Sequence, residues 1–423
     1  MPSLRALLIA LAVLAGCALP EEGFEIDAPT PEAPRRLGQT VVQDTRVGGL
    51  QLHSLGDEAT LPILSLRGDE QLRLQFDLVG QEVGEPLEIT FVHTDLRGRQ
   101  DLLPTEYMTS FERDDILDYE RSSAASALPY VHYTYDFPNG TIGFEVSGNY
   151  RAIIRTQAGA KLFEVPFFVS EQLAEVELAF GATVQGGSVG FAVQPAARLR
   201  PSSQLSEFDG SQFTVCFARN GRTDQFRCAP QPSLIDLALF QFYLPRDQAF
   251  PEQDALFELD TGFLSVNEEV VEVDRAARPP VAVLEADYAE FGGEVRQAVI
   301  AAVPLLETVY RDIGRVDTDG QYVDTVFRYV PPNSRQFSRR VYVLGSFNSW
   351  RRAPENELAW NDEAGLYEGT LRIKQGRYVY AYTGGPGTAQ GLGAPSLFTA
   401  YVYLNDPRRF TDRLIAVRSG VAR

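Results

Sequence analysis

Lysine is nearly absent. Lys161 and Lys374 are the two in 423 residues, so almost all positive charge is arginine. The planar guanidinium suits pairing with carboxylates on an acidic surface, and genomic base composition accounts for the same bias. Histidine (His53, His93, His132), cysteine (Cys17, Cys216, Cys228) and tryptophan (Trp350, Trp360) are also scarce, a poor stock for metal ligation or acid–base chemistry. No metal or cofactor is expected, and composition leans against an enzyme. Positive charge is in deficit, with 38 basic side chains against 57 acidic ones and a net charge of −19. That balance repels phosphate backbones and anionic headgroups, which excludes nucleic acid as a first choice of partner. Long hydrophobic runs are missing too. The one unbroken apolar stretch, residues 6–15, is about half of the roughly 20 residues a membrane-spanning helix needs.

What is present is the composition of a folded chain, 44% apolar and 22% charged. A single core stops growing at roughly 250–300 residues, so three domains are expected. The apolar run follows a short positive segment and leads straight into Leu14-Ala15-Gly16-Cys17. This pattern resembles a bacterial lipoprotein signal, with cleavage leaving Cys17 as the lipidated first residue; an ordinary signal peptide with an incidental cysteine is the plainer alternative. Residues 18–36 hold Pro20, Pro29, Pro31 and Pro34 among acidic side chains, the composition of an extended tether.

Cys216 and Cys228 lie twelve apart, with an Asn220-Gly221 turn signal between two strand-like runs. A disulfide across that hairpin is expected outside the cytoplasm, with two free thiols as the alternative.

Strand signals dominate. Runs of four to nine residues rich in Val, Ile, Tyr and Phe alternate with Gly, Pro, Asn and Asp. Within 130–137, one face carries Val131, Tyr133, Tyr135 and Phe137. The other carries Tyr130, His132, Thr134 and Asp136, which reads as a wetted face with His132 pointing outward. Similar runs fall at 72–79, 87–96, 150–156, 162–169, 174–180, 188–193, 322–330, 340–347, 378–383 and 399–404. The one helix candidate, 293–314, is broken by Pro304. The fold class is therefore all-β: tandem β-sandwiches of immunoglobulin-like or early-set type, with minor helix. The expected division is a signal at 1–16, the lipidated tether at 17–36, and sandwiches at 37–170, 171–320 and 321–423.

Catalytic signatures are weak. Gly186-Gly187-Ser188-Val189-Gly190 fits a nucleophile elbow, but a strand pattern follows it and all three histidines precede the serine. Asp260-Thr261-Gly262 matches an aspartic-protease tripeptide that needs a second copy. Asp317-Thr318-Asp319-Gly320 opens like a calcium loop but places Arg328 where the bidentate acid belongs. Turns explain all three. Asp114, Asp115, Asp118 and Glu120 read as a solvated loop or helix face.

The C-terminal stretch Val341 to Trp350, with Tyr367 to Ile373 and Gln375 to Tyr380, resembles the glycogen-binding type of early-set sandwich. Trp350 then stands where the first sugar-stacking aromatic would be, and Gly384-Gly385-Pro386 supplies no second. Further stretches occur together with it: Leu102-Leu103-Pro104 with Tyr107, Phe111 to Tyr119, Tyr130 to Asn139, Gly148-Asn149-Tyr150, Arg219-Asn220-Gly221-Arg222 and Asp412-Arg413-Leu414-Ile415. In this order they resemble the plug protein family of the type IX secretion system over residues 40–420, with a weak match across 270–311.

The resemblance implies a non-enzymatic periplasmic plug that occludes the outer-membrane translocon barrel of that system at rest. Its localisation would be an outer-membrane lipoprotein facing the periplasm and held by Cys17; Glu21 and Glu22 leave surface display open. No matched motif identifies contact residues. The runner-up is a membrane-anchored carbohydrate-binding lipoprotein using the C-terminal sandwich, with Trp350 as its possible sugar-stacking residue.

Overall fold

Alternation with a period of two decides the first sheets. The strand Leu72–Val79 turns Leu72, Leu74, Phe76 and Leu78 to one face, and all four are fully buried. Each contributes roughly 1.5–3 kcal/mol by leaving water. The structure is a computed structural model. It describes residues 37–110, 113–116, 118–122, 126–184, 191–236, 239–251, 256–288, 306, 316–383 and 396–422. Cys17, the Gly186–Gly190 stretch, Gly384-Gly385-Pro386 and, apart from Leu306, the 293–314 helix candidate lie outside the described residues.

The described strands form five sheets. Two of them, drawn from strands between Val41 and Ser170, close the first sandwich over a core of Phe76, Ile89, Phe91, Tyr133, Ile154 and Phe163. Inside it Phe91 meets Phe137, Phe144 and Phe167 at ring-centroid distances of 4.9, 5.4 and 5.8 Å. The all-β class is borne out, and α-helix among the described residues is confined to two four-residue turns, Pro104–Tyr107 and Val316–Asp319.

The second sandwich begins with the strands Ala174–Val184 and Phe191–Pro201. Its second sheet pairs Phe213–Arg219 with Ser396–Asp406, which in turn pairs with Thr411–Ala422. The third sandwich is one nine-stranded sheet folded on itself, running from Phe257–Asp260 and Val270–Asp274 to Arg377–Thr383. The expected cut at residue 320 is therefore corrected: strands from 257 to 288 belong to the third sandwich, and residues 396–422 return to complete the second. The third sandwich is an insertion in the second.

The returning strand Ser396–Asp406 shows why the sequence there is an almost continuous apolar run. Phe398, Ala400, Val402 and Leu404 enter the core of the second sandwich. Tyr401 and Tyr403, on the opposite face, pack with Phe168 of the first sandwich and with Cys216. A strand covered on both faces has no wetted side to encode.

Cys216 and Cys228 stand directly opposite one another and are joined by a disulfide. Asn220 and Gly221 both take positive φ, 52° and 70°. The return strand resumes only at Arg227, after the 3-10 turn Thr223–Gln225. Closing a loop of this length restricts the unfolded chain by about 3 kcal/mol in the chain-entropy model. The double variant Cys216→Ala/Cys228→Ala is expected to unfold at lower urea, and a thiol titration of unreduced protein to find neither cysteine free.

Candidate functional site

Several polar residues taken out of water lie where one sandwich meets another. On the first sandwich Asp77 and His132 are direct cross-strand partners. On the third, Tyr322 and Lys374 are direct cross-strand partners. The two pairs face each other. The Asp77 carboxylate, fully buried, accepts from His132 Nδ1 at 2.7 Å and from Tyr322 Oη at 2.6 Å, and lies 2.8 Å from Lys374 Nζ. The Lys374 ammonium also sits over the Tyr130 ring, 4.5 Å from its centre, and Tyr130 Oη donates to the Gly320 carbonyl at 2.7 Å. Gly48 permits the approach, since a β-carbon there would lie 2.4 Å from Tyr322 Oη.

Burial alone would raise the Asp77 carboxyl, but the Lys374 ammonium and the His132 ring hold it below the usual carboxylate range. Burial, then the Asp77 charge, pushes the Tyr322 phenol well up, so it remains a neutral donor. The expected wetted face of Tyr130–Phe137 is thus half covered. Tyr130 and His132 are buried against the third sandwich, and Thr134 and Asp136 stay partly exposed. His132 is corrected from an outward strand residue to a buried joint residue.

A second joint links the first sandwich to the returning hairpin. Tyr403 Oη donates to Asn149 Oδ1 and Thr411 Oγ1 to Asp101, each at 2.6 Å. His93, fully buried, contacts Asp101 at 2.7 Å through Nδ1. Arg413 forks onto Glu171 at 2.8 and 2.6 Å. Gly148 has φ +147°, and a β-carbon there would lie 2.3 Å from His93 Nε2. Burial tends to raise the Asp101 carboxyl, and the His93 hydrogen bond with its charge holds it low.

At the third joint Arg222 covers the face of Trp350 at 4.4 Å while pairing with Asp224. Trp350 is 8% exposed. The ring face that Arg222 covers is closed to the sugar stacking expected of Trp350. Arg351 Nη1 donates to the Val42 carbonyl at 2.7 Å and Thr223 Oγ1 to the Gly38 carbonyl at 2.8 Å, both onto the entry of the first sandwich.

The catalytic candidates are spread through turns and edges. Asp260 ends the strand Phe257–Asp260 and accepts from the Gly262 amide, while Thr261 exchanges hydrogen bonds with Gly376. Asp114 and Asp115 lie on the strand Arg113–Ile116 and Glu120 on Tyr119–Arg121, strands rather than a helix face. Asp114 accepts from Tyr135 Oη at 2.6 Å.

The first sandwich is also where a comparison with known families decides. Residues 47–171 match the family model of the type 9 secretion system plug protein 1st domain. The resemblance to the plug family is borne out, and the chain carries a domain of it. The plug family links the chain to type 9 secretion and to the cell envelope. A crystal structure of a hypothetical protein from Parabacteroides merdae shares the fold with a TM-score of 0.80 at 20% identity, over 92% of this chain and 100% of that one. The B domain of a biofilm associated protein aligns over 90% of this chain and 86% of its own at 9% identity and a TM-score of 0.18. No curated protein matches the sequence.

Two outcomes follow from these electrostatics. Lys374→Met leaves Asp77 buried without its counter-charge and is expected to cost about 3–5 kcal/mol in urea unfolding, much of it recovered in Asp77→Asn/Lys374→Met. Because the folded Asp77 value lies below 3.8, its contribution is present above that pH and is lost as pH falls through the folded value.

Asp287 has the opposite sign. Its carboxylate turns inward, accepting from Tyr380 and Tyr382 at 2.8 and 2.7 Å. Burial, with Glu269 and Glu285 nearby, pushes it from 3.8 up to about 6 against those two donors. The charged form therefore costs stability at neutral pH, at most about 3 kcal/mol, and the cost fades as pH falls toward 4. Asp287→Asn keeps an acceptor and is expected to melt higher than wild type near pH 8, the gap closing by about pH 4.

Proposed function

We propose that this chain is a plug: a non-enzymatic body that binds and occludes the outer-membrane translocon channel of the type IX secretion system at rest. The family match over the first sandwich carries the proposal, and the joints supply its physics. Outer-membrane barrels reach 36 strands, and a lumen that admits folded cargo leaks unless a body of similar bulk fills it. Sandwiches on flexible linkers move relative to one another by default. Three sandwiches tied by a buried ion pair, a shared hairpin and an insertion act as one piece.

The barrel partner must release the plug when substrate arrives, which calls for an interface of moderate size. Lipidation at Cys17, with the tether of residues 17–36, would confine the plug beside its barrel on the periplasmic face and raise its effective concentration there. The plug is preferred to the carbohydrate-binding alternative because Trp350, its one candidate stacking residue, is buried and has a face covered by Arg222.

Cells lacking the protein are expected to take up large hydrophilic solutes that the outer membrane otherwise excludes. Wild-type protein should restore the barrier, and Cys17→Ser, if made and exported, should restore it less well at equal expression. Unchanged uptake in the deletion strain would refute the plug.

A further inference from the structure

The returning hairpin ends in a tip, residues 407–410, that adds nothing to any core. Phe410 is 84% exposed, the most exposed large apolar side chain among the described residues. Its φ is 56°, a left-handed conformation that a β-carbon disfavours. The tip is nevertheless held firmly. The Asp406 carboxylate accepts from the Arg408 amide at 2.9 Å, and its carbonyl accepts from the Arg409 and Phe410 amides at 3.2 and 2.9 Å. Arg413 Nη1 reaches the same carboxylate at 2.8 Å. An aromatic presented on so fixed a base has little left to order when it binds.

Beside the tip lies a cleft of about 290 Å³, bounded by Arg67 of the first sandwich and residues 204–208 of the second. Four guanidiniums, of Arg67, Arg408, Arg409 and Arg413, line it against three carboxylates. In a chain of net charge −19, the local sign is reversed. The three carboxylates are all committed: Glu171 and Asp406 to Arg413, and Glu207 to Arg408. Arg67 and Arg409 are exposed and have no carboxylate partner among the described residues. Aromatic and arginine side chains together are the composition of binding hot spots.

We propose that the tip and the cleft form a docking site for an acidic segment of a partner protein, whose carboxylates pair with Arg67 and Arg409 while Phe410 enters an apolar recess of the same partner. A protein is favoured over an anionic bilayer because the rest of the chain is strongly negative and repels such a surface. The site goes beyond the plug proposal and stands without it, since it specifies what the surface binds and not what the partner does.

The test places the photoreactive residue p-benzoylphenylalanine at position 410 of the full chain in its own cells. Val83, 62% exposed, serves as the control position. Irradiation is expected to give a cross-link at 410 well above that at 83, to a peptide in which acidic residues outnumber basic ones. Arg67→Glu/Arg409→Glu, with an unchanged melting temperature because both side chains are exposed, is expected to lower the yield by roughly tenfold or more.

A yield no higher than at Val83, a cross-link to lipid or to a peptide without acidic surplus, or indifference to the charge reversal overturns the site. An acidic partner that is not the translocon barrel supports the site while counting against the plug, so the two ideas fail separately.

Discussion

A carboxylate withdrawn from water is tolerated only where charge and hydrogen bonds replace its hydration, and Asp77 imposes that condition on two sandwiches at once. The uncompensated penalty is several kcal/mol per ion. Lys374, His132 and Tyr322 meet it from fixed positions, because each is half of a directly opposed cross-strand pair. A slip of one residue in either sheet would turn the donors to the wrong face and strand the charge. The joint therefore selects one relative placement of the first and third sandwiches, a gain in specificity more than in stability.

Chain connectivity completes what the ion pair begins. Because the third sandwich is inserted in the second, two chain crossings tie them. The hairpin that closes the insertion is the element the first sandwich grips through Asn149, Asp101 and Glu171. A body built this way transmits load across its joints instead of bending at linkers.

Four of the stretches that make the plug resemblance legible coincide with these joints. Tyr130 to Asn139 brings Tyr130 and His132, Gly148-Asn149-Tyr150 brings the close approach and the Tyr403 acceptor, Arg219 to Arg222 brings the cover on Trp350, and Asp412 to Ile415 brings Arg413. Core positions such as Leu72 or Phe398 ask for apolar volume that several residue types supply. A buried donor or acceptor asks for one chemistry in one geometry, so such residues leave motifs where core residues leave only a pattern.

The amino-acid sequence by itself determined the all-β class and most strand positions, Tyr322–Val330 among them, because alternation and turn residues are local properties. It also carried the plug resemblance. What it did not reveal is which strands share a sheet. Ser396–Asp406 pairs with Phe213–Arg219 across nearly the whole third sandwich, and pairing over that distance leaves no periodic trace. The same holds for His132, which alternates like a solvent-facing residue and is buried only because another sandwich covers it. One face of a strand can be read from its own residues, but what lies against the other face is decided by tertiary packing.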